Sequence, residues 1–128
     1  MSSMGYAPWY DDIGADWLEG TMTKAKLPEL VREILLQPVN EVSLRQIRAA
    51  AFLLIVLSAP GIWPYYLVER DLDLAIQKLN ECLTIEKDAE FYELIQKERD
   101  YLKMQRQRAL NVKRVEAITE LWRAWLAP

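Results

Sequence analysis

Asp11, Asp12 and Asp16 are the carboxylates whose spacing could do chemistry. Asp12 and Asp16 stand four residues apart, so on a helix they share one face. Oxygen ligands in that arrangement suit a hard cation, or a metal-assisted or carboxylate-based reaction. A helix start asks for the same residues, as a cap and a first-turn acid against the positive end of the helix. That second account needs no metal, and no metal ligand is assigned here. Trp9, Tyr10 and Trp17 surround the acids. They make either an aromatic contact patch or an N-terminal arm packed on the core, with Trp17 expected to anchor the first helix inside.

A second constellation is basic. Lys103, Arg106, Arg108, Lys113 and Arg114 follow one another with no acid between them. Nucleic-acid binders place such charges on phosphates, with aromatic stacking or a groove-reading helix beside them. Here the nearest aromatics, Tyr101 and Trp122, lie only at the ends of the run. A solvated helix face is the simpler account, and nucleic acid is disfavoured as a partner.

Composition removes most other chemistry. The chain has 128 residues, no His, one Cys and four Gly. Without His there is no Ser-His-Asp or Cys-His site and no His-ligated zinc. One Cys gives neither a disulfide framework nor a four-thiolate site, and Cys82 is expected as a small core filler. No two glycines lie close enough for a phosphate-cradling loop, so no cofactor is expected.

The elements that must position these residues read as helices. Asp11-Asp12 opens the first, with Ile13 and Trp17 on one face and Gly20 near its end. Pro28 suits the first turn of a second, whose stripe is Leu30, Val31, Ile34 and Leu35, with Pro38 as the stop. Ser43 and Gln46 fit a capping box for the third. Every residue from Ala49 to Leu57 is apolar, which marks this as the central helix, spanning Ser43 to Ser58. Two prolines and a glycine break the chain around Trp63, which is either a lid over the core or an exposed contact. Leu72, Ala75, Ile76, Leu79 and Leu83 return at helical spacing. Asp88 can cap the next helix, with Phe91, Leu94, Ile95, Glu98 and Leu102 on one face. Beyond it the pattern resumes at Val112, Val115, Ile118, Leu121, Trp122 and Trp125. Either one helix of about 38 residues runs to the end, or it breaks between Gln105 and Asn111.

The opening Gly5-Tyr6-Ala7-Pro8, followed by Asp12 and Ala15-Asp16-Trp17, resembles the bacterial domain of unknown function 4259 family (DUF4259). Trp9 stands where that family usually has Phe. Arg48-Ala49-Ala50-Ala51 and Leu74-Ala75 through Leu83 are similar to its later blocks, so the resemblance covers residues 4–104. Met4, Ala7 and Tyr10 depart from the pattern, and the basic tail from Lys103 lies outside it. The resemblance implies a small bacterial cytoplasmic helical protein and carries no activity.

Charge divides along the chain. Residues 1–42 carry three basic and seven acidic groups, whereas residues 103–128 carry six and two. The expected fold is an all-α, single-domain bundle of about five helices over residues 1–128, with a long or broken C-terminal helix. Residues 105–128 form its basic and aromatic tail. Met1-Ser2-Ser3-Met4 does not resemble a secretory signal, and the longest apolar run is far short of a membrane span. A cytoplasmic protein with no membrane contact is expected. The functional expectation is a protein–protein interaction module, such as a toxin-neutralising immunity protein or an adaptor. The alternatives are a carboxylate-based enzyme and a nucleic-acid accessory protein. No catalytic residue is assigned. The candidate interaction surface is Trp9, Tyr10, Asp11, Asp12, Asp16, Trp63, Trp122 and Trp125. The apolar seam of the tail would either fold back on its own bundle or pair with a second copy as a homodimer.

Overall fold

The computed structural model describes residues 12–58, 62–107, 120–121 and 123–127, apart from the side chains at 12, 14, 15, 19 and 65. Among the described residues five full helices run in order: α1 (Asp12–Lys24), α2 (Leu27–Leu35), α3 (Ser43–Leu57), α4 (Tyr65–Ile85) and α5 (Ala89–Arg106). The described residues include no strand, and helical backbone returns at 120–121 and 123–126. The fold is all-α, as the sequence predicts. No helix among the described residues is long and apolar enough to cross a membrane.

α3 is the hub, packing against α2, α4 and α5. Its Ile47, Ala51, Leu54 and Ile55 are fully buried, against Leu35 of α2, Ala75, Leu79 and Cys82 of α4, and Ile95 and Leu102 of α5. Two small residues, Ala50 and Ala51, keep α3 slim where three neighbours converge. Its capping box sits three residues earlier than expected. Asn40 Oδ1 accepts from the Ser43 backbone N–H at 2.9 Å, and Ser43 Oγ accepts in return from the Asn40 N–H at 2.9 Å. Ser43 therefore fills the reciprocal position of a box begun by Asn40, and Gln46 has no part in it. Asp88 does cap α5, accepting from Glu90 and Phe91 N–H.

α1 differs from the expectation in length and in burial. It runs through Gly20 to Lys24, so Gly20 is interior and does not end the helix. The chain turns instead at Lys26, whose φ of 57° lies in the left-handed region that glycine enters without steric cost. Among the other helices α1 packs against α2 alone. Trp17 is 67% exposed, so it does not anchor the helix in the core. Leu30 of α2 likewise faces solvent, because Val31 and Leu35 already take the face turned to α3.

The C-terminal tail turns back. Trp125 Nε1 lies 3.0 Å from a carboxylate oxygen of Glu98, 27 residues earlier. A continuous helix would separate them by about 40 Å. α5 ends at Arg106, and Leu121 and Trp125 are seated on the bundle's own core.

Candidate functional site

A cleft of about 800 Å3 opens between α3, the α4–α5 connection and the returning tail. Its floor is an ion pair. Arg48 of α3 donates through Nε to both oxygens of Glu98 of α5, at 2.8 and 3.0 Å, and through Nη2 to one of them. The Glu98 side chain is 3% exposed and that of Arg48 25%. A buried carboxylate is tolerable only when its lone pairs are taken, and Trp125 Nε1 supplies a further donor to this one. Its hydrogen bond to Glu98 raises the Arg48 pKa above the ordinary arginine value, overcoming the opposing effect of burial. The guanidinium also lies over the Phe91 ring, 5.6 Å from its centre, within cation–π range.

The walls are aromatic. Phe52 and Trp125 stand with ring centres 5.3 Å apart and planes tilted by 60°, the geometry that ring quadrupoles favour. Phe91 rises from the first turn of α5, held there by the Asp88 cap. Arg45, Lys87, Glu41, Glu86 and Asp88 form the polar rim.

The sequence-predicted residues fare unevenly. Trp63 is 2% exposed and donates through Nε1 to Asp71 at 2.9 Å. It is the lid, not a contact surface, because the indole covers the core where α4 begins. Trp125 belongs to the cleft wall. Asp16 is exposed beside Trp17, on the outer side of α1. Trp9, Tyr10, Asp11 and Trp122 lie outside the described residues, as does the side chain of Asp12. Among the described residues no three His, Cys, Asp or Glu side chains are grouped to hold a metal. Within the basic run, Arg106 is tied to Asp73 at 2.8 Å, which raises its pKa. Arg108, Lys113 and Arg114 lie outside the described residues. Cys82 is fully buried, and burial pushes its thiol up to about 11.

Sequence reasoning missed two buried charges. Asp71, fully buried on α4, receives Trp63 Nε1 and Arg70 Nε and lies 3.5 Å from Arg32 of α2. Arg48–Glu98 joins residues 50 positions apart. The available signal was Glu98 itself, a charge in an otherwise apolar stripe. Comparison of the chain with family models, with curated proteins and with solved structures finds no match.

Proposed function

We propose that this chain is a protein-binding module that contacts a basic partner through the outer face of α1. The observation that carries the reading is Trp17, two-thirds exposed on a helix that, among the described helices, packs on α2 alone. Ile13, one turn earlier on the same face, is exposed as well. Trp is among the residue types that most often dominate binding interfaces, and here it stands with a second exposed apolar side chain on one face. Asp16 lies beside it in an acidic N-terminal third, which favours encounter with a positively charged surface. A toxin-neutralising immunity protein or an adaptor would use such a face, and membership in the DUF4259 family is part of the same proposal. A distinct protein suits this face better than a second copy joined through the tail, since Leu121 and Trp125 already serve the bundle's own core.

Site-specific photo-cross-linking tests it. A benzophenone side chain at position 17 should capture one basic protein, and the same group at Glu93 on α5 should not. The purified partner should then bind wild type in a salt-sensitive way and bind Trp17→Ala at least about ten-fold more weakly, as loss of a hot-spot ring requires. Equal capture from both positions, or a partner indifferent to Trp17→Ala, would overturn the reading.

A further inference from the structure

We propose that the α3–α5 cleft is a binding site for an uncharged, planar aromatic molecule, independent of the α1 face. Its volume of about 800 Å3 falls within the range of small-molecule sites. Phe52 of α3, Phe91 of α5 and Trp125 of the tail converge on it. Phe91 remains 50% exposed and Phe52 36%, so ring surface is open to an incoming molecule. Ala49 supplies the room. It follows Arg45 by four residues and precedes Phe52 by three, so it shares their face of α3, and it is exposed to the cleft. Its single methyl leaves open the space that a longer side chain would fill.

The charge of the occupant follows from the balance of the lining. Among the described residues it holds four carboxylates and three cations. The floor is electrically closed, because Arg48 and Glu98 neutralise each other. At the rim three acids stand against two bases, and Glu86 and Asp88 each keep one oxygen outside their hydrogen bonds. An anion therefore meets more acid than base. A cation meets Arg45 and Lys87 at the rim and the Arg48 guanidinium below them. Either ion gives up hydration that this lining does not return, whereas an uncharged ring gives up little. The attraction comes from the walls, through burial of apolar surface and tilted or offset ring contacts. A neutral substituent that both donates and accepts, such as a carboxamide, suits a rim of mixed sign.

The walls are also preorganised. Glu98 holds the Trp125 indole, which in turn packs on Phe52. Phe91 is placed by the Asp88 cap and carries the Arg48 guanidinium against its ring. A ring entering among them orders little that is not already ordered.

Amide NMR titration of the full chain with indole-3-acetamide, indole-3-acetate and tryptamine tests the proposal, because the ring stays constant while the charge changes. The Trp125 indole N–H resonance should shift saturably with the amide, at a Kd below about 1 mM, while those of Trp17 and Trp63 stay in place. Both ions should bind at least about three-fold more weakly, as unreturned hydration requires. Ala49→Leu puts bulk into the cleft from an exposed helix position. It should weaken the amide at least about three-fold while the melting temperature holds. Phe91→Ala should give a loss of the same kind from another wall. The proposal fails if the amide does not saturate below about 1 mM, or if either ion comes within about three-fold of it. It fails equally if Ala49→Leu and Phe91→Ala leave its binding undiminished. A shift at Trp17 with Trp125 unmoved would place the ring on the α1 face, overturning this site and leaving the α1 reading intact. N-acetyltryptophanamide binding more than about ten-fold tighter than indole-3-acetamide would assign the cleft to a Trp within a partner chain and overturn the small-molecule assignment.

Discussion

α1 and the α3–α5 cleft both hold large aromatic residues at the surface, yet the molecule supports them very differently. Trp17 stands on a helix that touches one neighbour among the described helices, with an interior glycine and a strained Lys26 just beyond its end. Phe52, Phe91 and Trp125 stand on elements joined by a buried ion pair, an N-cap and an indole hydrogen bond. The first arrangement leaves a ring in water on a lightly held helix, a surface that a partner could complete. The second holds its rings and charges in fixed positions, a cavity ready before anything enters. Exposure of an aromatic side chain therefore says little until the connections of its backbone are known.

The largest test of that contrast is to break the floor of the cleft. Arg48→Met removes the partner of a carboxylate that stays buried, and an uncompensated buried charge costs about 3–5 kcal/mol. Denaturant titration should show a loss of that size, most of it restored when Glu98→Leu is added. A loss below about 1 kcal/mol, in the range of exposed ion pairs, would show that the floor is solvated and that the cleft is no better fixed than α1.

Cys82 probes the core behind the cleft. Its thiol titrates near 11 in the folded chain against 9.0 for the free group, because burial disfavours the thiolate. The group keeps its proton longer when folded, so stability is complete below pH 9 and falls as pH climbs from 9 towards 11. By linkage the loss is about 3 kcal/mol in full, and Cys82→Ala should remove that part of the alkaline decline. An identical alkaline profile in the variant would mean that the thiol is hydrated in the fold.

These two groups also show what the sequence could and could not reveal. Cys82, the Asp88 cap and the apolar run of α3 were legible because each depends on neighbours within a turn or two. Periodicity placed Ile13 with Trp17, and Leu30 in a stripe with Val31. It could not say which stripe would find a neighbour, because that depends on helix contacts far apart in sequence. The same limit hid Arg48–Glu98 and Asp71–Trp63, where a charge is placed inside only because its partner arrives from another element. The α3 capping box was right in kind and displaced in register, since Asn40 and Ser43 satisfy the same reciprocal pattern as Ser43 and Gln46 would.

Gly20 offers a smaller test on the α1 side. A Cβ built there meets nothing within 4 Å, and the residue is interior to the helix. Gly20→Ala should stabilise the chain by about 0.5–1 kcal/mol, through helix propensity and a less flexible unfolded state. The gain should appear in the denaturation midpoint with an unchanged slope. If the substitution is destabilising, the backbone at position 20 carries a constraint that the open space does not reveal, and α1 is more tightly held than its contacts indicate.

Trp17→Ala should have the smallest effect on stability of all, and that near-absence is what distinguishes the two regions. A buried Trp truncated to Ala loses about 3–5 kcal/mol, which is the expectation for Trp63 under its Asp71 hydrogen bond. Trp17 removes little apolar area from water on folding, so its truncation should stay within about 0.5 kcal/mol of wild type. Parallel thermal melts of Trp17→Ala and Trp63→Ala read the difference directly. A large loss at Trp17 would mean that the ring is covered in the folded chain. The α1 face would then be part of the core, and the contact surface would have to be sought elsewhere on the bundle.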